Sequence, residues 1–398
     1  MSEKEQILQS LNKNFKEPYT RSKISQLFNI YRGKGLCKDD ISESGYDCIL
    51  YGQLYTEYLN QINKITLKTN RNINNPVLSK KGDIILPGSG ESKYDISNSA
   101  VVPYDGIIYG GDLIILRAKK DIDYLYFSYY ITNKLKKQIY KISQGVSIIH
   151  LPIDDFSKIE MTYPSVEFQK KLSWFLLLID KKMDIIKRKI DILKKYKKGI
   201  KKIVVKDSVR FWKKECSNAI NLMEFLTEIK EFNENDGTYT HVTLSKEGIS
   251  AKTDRYDRDF LVKSDDKKYR ITRPGQLCYN PANLKFGVIC LNNYSVGVFS
   301  PIYVTFQINN IIPEYLELIV TSNDFINYTM KFQQGTVYER MSVSVEDFLK
   351  IKIIPLDIKE QQKYAKISYS IDKKISKFEN ELLILQKFKN NLLSKLFI

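Results

Sequence analysis

The sequence predicts an α+β protein in which two strand-rich globular domains are separated by two long helices that form an antiparallel coiled coil. Three observations predict this fold. The chain has 398 residues, more than one domain usually contains. Two segments with a heptad pattern of apolar residues stand 192 positions apart, as Gln169 and Gln361 do, and the segments before them also repeat. A tandem duplication would build pseudo-two-fold symmetry into one chain.

The two long helices are predicted from apolar residues at alternating steps of four and three. The first copy contains Ile179, Met183, Ile186, Ile190, Leu193, Ile200 and Val204, and the second contains Ile371, Ile375, Phe378, Leu382, Leu385, Leu392 and Leu396. Each copy has a lysine, Lys197 or Lys389, where one more apolar residue is due. This pattern is typical of coiled coils. An amphipathic helix packed on its own domain would also show it, but two copies with the same register and the same lysine favour pairing.

Prolines mark the start of both helices. Pro164 and Pro355 precede them, and the pattern then continues for about 35 to 40 residues, about 55 to 60 Å at 1.5 Å per residue. Helices of this length are too long to lie across one small domain. The predicted boundaries are therefore 1–160 for the first globular domain, 161–206 for the first helical spacer, 207–354 for the second globular domain and 355–398 for the second helical spacer.

The repeat also includes the globular domains. Matching segments share their residue types and their order: 144–146 with 334–336, 154–156 with 346–348, 123–133 with 314–323, and 80–88 with 273–281. The third pair is predicted to be helical, and the fourth is predicted to be a turn that leads into a strand. The repeated unit is thus a strand-rich domain followed by a long helix.

The charge of the chain favours a polyanionic partner. Lysine and arginine number 63 against 46 acidic residues, a net charge of +17, which points to nucleic acid first and to an anionic membrane surface second. The apolar run from Trp174 to Ile179 is far shorter than the roughly 20 residues of a membrane span, so no transmembrane helix is expected. The first 15 residues lack the apolar stretch of a signal peptide, so we expect a cytoplasmic protein.

Residues suited to catalysis or to metal binding are few. The five cysteines show no two-residue spacing, and there are two histidines, so no metal site and no cofactor in this chain are expected. The segment from Pro87 to Ser92 contains glycine but is not a phosphate-binding loop. The segment from Tyr279 to Asn283 departs from the Asn-Pro-Pro-aromatic motif of amino-methyltransferases. We therefore expect a non-catalytic chain, with a nuclease built from dispersed carboxylates as the enzyme alternative.

The first domain contains two candidate DNA-binding segments. In the glycine-rich loop of residues 31–40, Arg32, Lys34 and Lys38 are placed to reach phosphates. In residues 50–58, an amide suited to an adenine edge alternates with aromatic rings suited to stacking, the residues being Tyr51, Gln53, Tyr55 and Tyr58. The alternative is that these tyrosines pack on their own domain.

The second domain contains three further candidate segments. Their basic, amide and aromatic side chains are those that bind base edges and phosphates: Lys252, Arg255, Arg258, Asn280, Asn283, Lys285, Tyr338 and Arg340. The alternative for the charged residues is a solvated surface. These segments differ from their counterparts in the first domain, so the two domains are expected to read different sequences.

With these motifs in order, the chain resembles the specificity subunits of type I restriction-modification systems. The resemblance rests on residues 33–58, 268–289 and 298–306, and on the proline, the glutamine and the "IDKK" that open each heptad helix. It covers nearly the whole chain. It implies two target recognition domains, each reading one half of a split sequence in double-stranded DNA, with paired helices between them.

The resemblance also implies partners. These are two modification subunits that bind S-adenosylmethionine and methylate adenine and, in the full complex, restriction subunits that use ATP and magnesium to translocate and cleave DNA. The base-contacting residues of this family lie in variable loops, so the DNA-binding residues named above rest on physical chemistry alone. The alternative function is a stand-alone basic nucleic-acid-binding scaffold without methyltransferase partners.

Overall fold

The computed structural model describes residues 19–208, 218–233, 238–252, 268–333 and 342–396. These residues fold into two compact units. Unit 1 comprises the described residues of 1–185 and 383–398, and unit 2 comprises those of 186–382. Each unit contains a strand-rich head and parts of both long helices. We call residues 19–164 head 1 and the described residues of 218–356 head 2.

The α-helices of the described residues are α1 (Ile24–Leu27), α2 (Gln53–Thr56), α3 (Tyr124–Asn133), α4 (Lys136–Ile142), α5 (Ile153–Ser157), α6 (Val166–Ser208), α7 (Pro313–Val320), α8 (Asn323–Thr329), α9 (Val345–Leu349) and α10 (Ile358–Leu396). The strands of head 1 are β1 (Thr20–Lys23), β2 (Phe28–Arg32), β3 (Tyr46–Ile49), β4 (Leu67–Thr69), β5 (Ile84–Pro87), β6 (Ser89–Gly90), β7 (Ala100–Val101), β8 (Ile108–Tyr109), β9 (Leu113–Ala118), β10 (Ile149–His150) and β11 (Glu160–Tyr163). The strands of head 2 are β12 (Ile220–Asn221), β13 (Leu226–Glu228), β14 (Phe232–Asn233), β15 (Val242–Ser245), β16 (Gly248–Ala251), β17 (Tyr269–Thr272), β18 (Leu277–Tyr279), β19 (Ile289–Leu291), β20 (Gly297–Phe299), β21 (Val304–Ile308) and β22 (Lys352–Ile353).

Head 1 is built on a four-stranded antiparallel sheet in the order β2-β9-β5-β7 and a three-stranded sheet in the order β4-β3-β8. The β3–β8 pair is parallel. Strands β5 and β9 are rich in isoleucine and leucine and are buried, as expected for strands covered on both faces. Ile49, Ile85, Tyr109 and Ile115 pack together in the core between these elements.

Head 2 has the corresponding pair of sheets. Its four-stranded sheet has the order β13-β21-β18-β19, and its three-stranded sheet has the order β14-β17-β20. Three aromatic rings stack in its core. Tyr279 lies 4.7 Å from Phe348 and 5.9 Å from Phe306, centroid to centroid, with interplanar angles of 17° and 8°. These large side chains are completely or almost completely buried, so they contribute much of the apolar area that stabilises the head.

The predicted tandem repeat is confirmed by the equivalent elements. Helix α5 and helix α9 lie 192 positions apart and bury equivalent phenylalanines, Phe156 and Phe348. In head 1, β1 pairs with β11, the strand that leads into α6. In head 2, β12 pairs with β22, the strand that leads into α10. The same unit of structure therefore occurs twice.

A buried glutamine fastens each head to the long helix that follows it. The side-chain oxygen of Gln169 accepts the Asp123 N–H at 3.0 Å, and its nitrogen donates to the Pro164 carbonyl at 2.8 Å. Gln361 accepts the Ile312 N–H at 3.1 Å and donates to the Leu356 carbonyl at 2.8 Å. The two sets of contacts are equivalent, so the angle between head and helix is set in the same way in both units.

The two long helices pair as predicted, with their heptad residues on the inside. Nine of the predicted residues are buried: Ile179, Met183, Ile186, Ile190, Ile200, Val204, Ile371, Ile375 and Leu392. The remaining five are partly buried. In unit 2, Lys194 pairs with Glu379 at 3.1 Å, whereas Lys197, one turn later on α6, pairs with Asp372, seven residues earlier on α10. The pairing is therefore antiparallel.

The glutamine contacts lead to a stability prediction. Gln361→Ala should lower the free energy of unfolding by about 2 kcal/mol, because the buried Ile312 N–H and Leu356 carbonyl lose their partners. Gln386→Ala is the matched control on the same helix, since this exposed side chain bonds only Asn390 among the contacts found for it and should change stability by less than about 0.5 kcal/mol. Urea unfolding of the full chain measures both. Equal effects would show that the glutamine contacts are not important for stability.

Candidate nucleic-acid interface

The glycine-rich loop of head 1 exposes its three predicted basic residues. Arg32 ends β2, while Lys34 and Lys38 follow in the loop, and all three are exposed. Glycine is required here for two different reasons. A Cβ on Gly33 would meet the Gly110 carbonyl oxygen at 2.0 Å, and Gly35 has a φ of +75°. The loop can therefore present cations on a backbone that approaches its neighbours closely.

Asp40 holds the end of this loop. Its carboxylate accepts the Cys37 N–H at 2.8 Å and forms an ion pair with Arg71. The backbone hydrogen bond from Cys37, and then the bond from Arg71, lower the pKa of Asp40 to about 2. The carboxylate is thus ionised at neutral pH, and it orders the loop while Lys34 and Lys38 remain exposed.

The second predicted segment of head 1 is largely internal. Gln53 begins α2 and is buried. Its amide nitrogen donates to Glu57, Tyr58 and Thr66 at 2.9 to 3.0 Å, and its oxygen accepts the Leu50 N–H at 3.1 Å. A base could bond this amide only if these internal bonds were broken. The amide therefore orders residues 50–66, and the expectation of a direct adenine contact from Gln53 gives way to this internal role.

The three tyrosines around Gln53 are partly buried. Tyr51 and Tyr58 pack against the apolar core of head 1, and burial raises the pKa of Tyr58. The rings of Tyr51 and Tyr55 lie 6.3 Å apart. Tyr51 and Tyr58 therefore pack on their own domain, which was the alternative to DNA binding. Tyr55 lies outside the core cluster.

The predicted residues of head 2 divide into three groups. Asn280 is buried, and its side-chain oxygen caps the 3-10 helix Pro281–Phe286 by accepting the N–H groups of Ala282 and Asn283 at 3.1 and 3.3 Å. Asn283 and Lys285 are exposed on that helix, and Lys252 follows β16 and is partly buried. The other four predicted residues, Arg255, Arg258, Tyr338 and Arg340, lie outside the described residues. The structure therefore brings Asn280, Asn283 and Lys285 together.

The sequence reasoning missed an exposed apolar loop in head 1. Val146 is 95% exposed and Ile148 is 58% exposed, at the tip of a turn that Gly145 closes with a φ of +115°. Nearby along the chain, the ammonium of Lys136 lies 5.1 Å from the ring centroid of Tyr94, which is also exposed. The "QG" dipeptide that occurs in both halves precedes this loop in the sequence. It indicates the repeat, but it does not indicate that the following apolar residues are exposed.

A cavity in unit 2 is not predictable from the sequence alone, because the residues that line the cavity are distant from one another along the chain. The cavity has a volume of about 930 Å³ and is lined by Lys197, Lys201, Lys285 and Glu317 among others. The ammonium of Lys201 donates to Thr321 at 2.8 Å, and burial lowers its pKa. The lysines of α6 are thus engaged inside unit 2 at a polar junction between the helix and head 2.

The described residues can also be assessed for metal ligands and for membrane-spanning helices. Across the described ranges, no three histidine, cysteine or acidic side chains are grouped so that they could hold a metal ion. The helices of those same ranges include none that is both long and apolar enough to cross a membrane.

Residues 16–195, which include all of head 1, are similar to a known family of domains. Residues 16–195 match the family of the type I restriction modification DNA specificity domain. These residues, which make up less than half of the chain, are similar to a type I DNA specificity domain. The type I restriction enzyme MjaVIII specificity subunit of Methanocaldococcus jannaschii is 29% identical over 153 residues, which cover 38% of this chain and 34% of that protein. The match thus spans about a third of the length of that relative.

Two solved structures are similar in fold to nearly the whole chain. The S subunit of a type I restriction-modification system from M. genitalium superposes with a TM-score of 0.65 at 18% identity, covering 97% of both chains. A chain from a study of the assembly and conformational transition of the type I R-M system has a TM-score of 0.50 at 11% identity, covering 96% of this chain and 98% of the other. The fold of the chain is therefore similar to that of the M. genitalium S subunit.

The exposed basic loop of head 1 leads to a prediction on DNA binding. Replacing both Lys34 and Lys38 by alanine should weaken binding to all DNA sequences alike and lower the salt slope of the binding constant by about 2, because two phosphate contacts are lost. The matched control is Lys119→Ala with Lys120→Ala, at the far end of the β2–β9 pair. Titrations at several salt concentrations measure both variants. An unchanged slope in the loop variant would exclude the loop from the interface.

Proposed function

We propose that this chain is the non-catalytic subunit that recognises a bipartite double-stranded DNA sequence and directs adenine methyltransferase subunits to it. The observation that carries the proposal is the repetition of one head on an antiparallel helix pair. The family of the first half supports DNA sequence recognition. Since DNA is the target, we expect the protein to act in the cytoplasm.

Division of labour between the parts explains the bipartite target. Exposed cations such as Lys34 in head 1 and Lys285 in head 2 contact phosphates and set the register, while loop side chains read base edges. The two heads share a scaffold but differ in their exposed residues, so each reads its own half-site. The helix pair sets the distance between half-sites, which is about one turn of DNA for heads on the same face.

The pseudo-two-fold symmetry assigns places to the partners. Heads related in this way meet DNA in opposite orientations, so each positions one modification subunit on an opposite strand. S-adenosylmethionine is bound by those subunits. In the full complex, restriction subunits use ATP and magnesium. This chain contributes recognition and geometry.

An exposed apolar stripe on α6 supports docking of the modification subunits. Six of its residues are between 41% and 65% exposed: Trp174, Leu178 and Ile185 in unit 1, and Ile192, Tyr196 and Ile203 in unit 2. Their steps of four and seven place them on one side of the helix, turned by about 120° from the buried heptad residues. An exposed stripe of this kind is typical of a protein interface. Amphipathic helices of the modification subunits would cover it.

The charge around the stripe indicates the chemistry of those helices. Between Lys181 and Lys202, α6 has 11 basic and two acidic residues. Partner helices with acidic residues flanking their apolar side would therefore be attracted to α6 and oriented on it.

A head exchange tests the bipartite reading. Replacing residues 1–160 by the corresponding domain of another specificity subunit should change one half of the methylated sequence and leave the other half and the spacer length unchanged. Sequencing of methylated DNA from cells that express the exchanged chain with its methyltransferase measures this. A change in both halves would contradict the independent reading of half-sites.

Substitutions in the stripe test the docking. The double variant Ile185→Ser with Ile192→Ser should weaken binding of the modification subunit at least tenfold, because two apolar side chains no longer pack in the interface. The control, Lys187→Arg with Lys198→Arg, changes exposed residues on another side of the same helix but keeps their charge, and should have a much smaller effect. Co-purification and mass measurement of the complex report both. A chain that binds split DNA but never a methyltransferase would instead be the stand-alone scaffold.

A further inference from the structure

We propose that two lysine–aspartate pairs, Lys389 with Asp180 and Lys197 with Asp372, fix the register of the helix pair and thereby the number of base pairs between the half-sites. This inference rests on the proposed function. It assigns a purpose to the lysines that interrupt the two heptad patterns.

In unit 1, Asp180 joins three elements. Its Oδ1 accepts the Lys389 ammonium at 2.5 Å, and its Oδ2 accepts the Tyr129 hydroxyl at 2.5 Å. The ammonium also lies 5.3 Å from the ring centroid of Tyr129. The side chains of Lys389 and Asp180 are only 15% and 11% exposed. The pair that joins α6 to α10 is thus also bonded to α3 of head 1.

In unit 2, the equivalent pair is more exposed, since the side chains of Lys197 and Asp372 are 24% and 46% exposed. The Lys197 ammonium lies 2.6 Å from both carboxylate oxygens of Asp372. One turn later on α6, Lys201 donates to Thr321 at the end of α7 in head 2. A head therefore contacts the helices beside the ion pair in each unit.

The two pairs specify one alignment of the helices. Lys197 follows Asp180 by 17 residues on α6, and Asp372 precedes Lys389 by 17 residues on α10. Two contacts found in separate units are therefore satisfied by the same antiparallel register.

A slip of one heptad would preserve the apolar packing but not these pairs. If α10 moved away from head 1 by seven residues, Lys197 would meet Glu379, but Asp180 would meet Leu396 and Lys389 would meet Lys187. The partly buried carboxylate of Asp180 would then face a leucine, and the partly buried ammonium of Lys389 would face another lysine. Uncompensated charges at such positions are unfavourable, so this register is disfavoured.

A slip in the other direction satisfies neither pair. Lys197 would meet Ala365, Asp180 would meet Leu382, and Asp372 would meet Ile190. A polar residue in a coiled-coil core commonly selects one register in this way, at some cost in stability compared with an apolar residue. The lysines thus exclude registers that the heptad pattern alone would allow.

Under this proposal a change of register would also change the spacing of the half-sites, because each head is fastened to a different helix. Gln169 holds head 1 to α6, and Gln361 holds head 2 to α10. A slip of seven residues moves one helix along the other by about 10 Å at 1.5 Å per residue. That movement corresponds to about three base pairs at 3.4 Å each.

Moving the charges should therefore move the preferred spacer. In a variant with Asp372→Leu, Lys389→Leu and Leu396→Lys, Lys197 pairs with Glu379 and Asp180 pairs with the new lysine only in the register shifted by one heptad. The full chain with its methyltransferase should then select half-sites about three base pairs further apart, and its affinity for the original spacer should fall at least tenfold. Selection from DNA with fixed half-sites and varied spacers measures this. An unchanged spacer with the original half-sites would overturn the proposal.

A disulfide cross-link between the two helices reports their register in the absence of DNA. Cysteines introduced at Leu193 and Ile375, which are heptad residues opposite each other in the wild-type register, should form a disulfide there, and cysteines at Leu193 and Leu382 should do so in the shifted one, with Cys37→Ser in every variant. A wild-type chain that binds no split DNA would refute the proposed function, and the cross-link would still decide the register.

A variant without charges at these positions covers the case in which the triple variant does not fold. Lys389→Leu, Asp180→Leu, Lys197→Leu and Asp372→Leu together remove both pairs while the seam stays apolar. Both cysteine pairs should then cross-link, because the register is no longer unique. Cross-linking in the wild-type register alone would overturn the proposal.

Discussion

The antiparallel packing of α6 against α10 is the constraint on which the other features depend. Each helix is too long to bury its heptad residues on one small domain, and each unit supplies part of the partner helix that covers them. The apolar residues provide most of the free energy of this packing, but they repeat every seven residues and do not by themselves define one alignment. The lysine–aspartate pairs define it.

The heads are attached to this helix pair through polar contacts that occur twice. Gln169 and Gln361 each bond a backbone N–H at the start of a head helix and a carbonyl at the end of the head. Such contacts are directional, so they determine an angle as well as a distance. A protein that reads two separated sequences needs both, because each head must meet its half-site at a defined position and orientation.

The sequence was sufficient to predict the repeat, the heptad helices and the interrupting lysines, because all three are patterns along the chain. It could not pair Lys389 with Asp180, since heptad spacing does not show which residues face each other across two helices. Gln53 and Asn280 were predicted as base contacts from their chemistry alone. Whether an amide faces solvent or its own domain depends on tertiary packing, here on Thr66 and on the turn after Asn280. Val146 was missed because an apolar residue in a short segment resembles a buried strand residue.

The central claim is that two different heads on one helix pair make a single chain the reader of a split DNA sequence. The most direct measurement is sequencing of adenine methylation across the genome of the host with and without this gene. The account predicts that loss of the gene removes methylation from one motif made of two defined halves separated by a spacer of fixed length. Removal of a continuous motif, or of no motif at all, would contradict it.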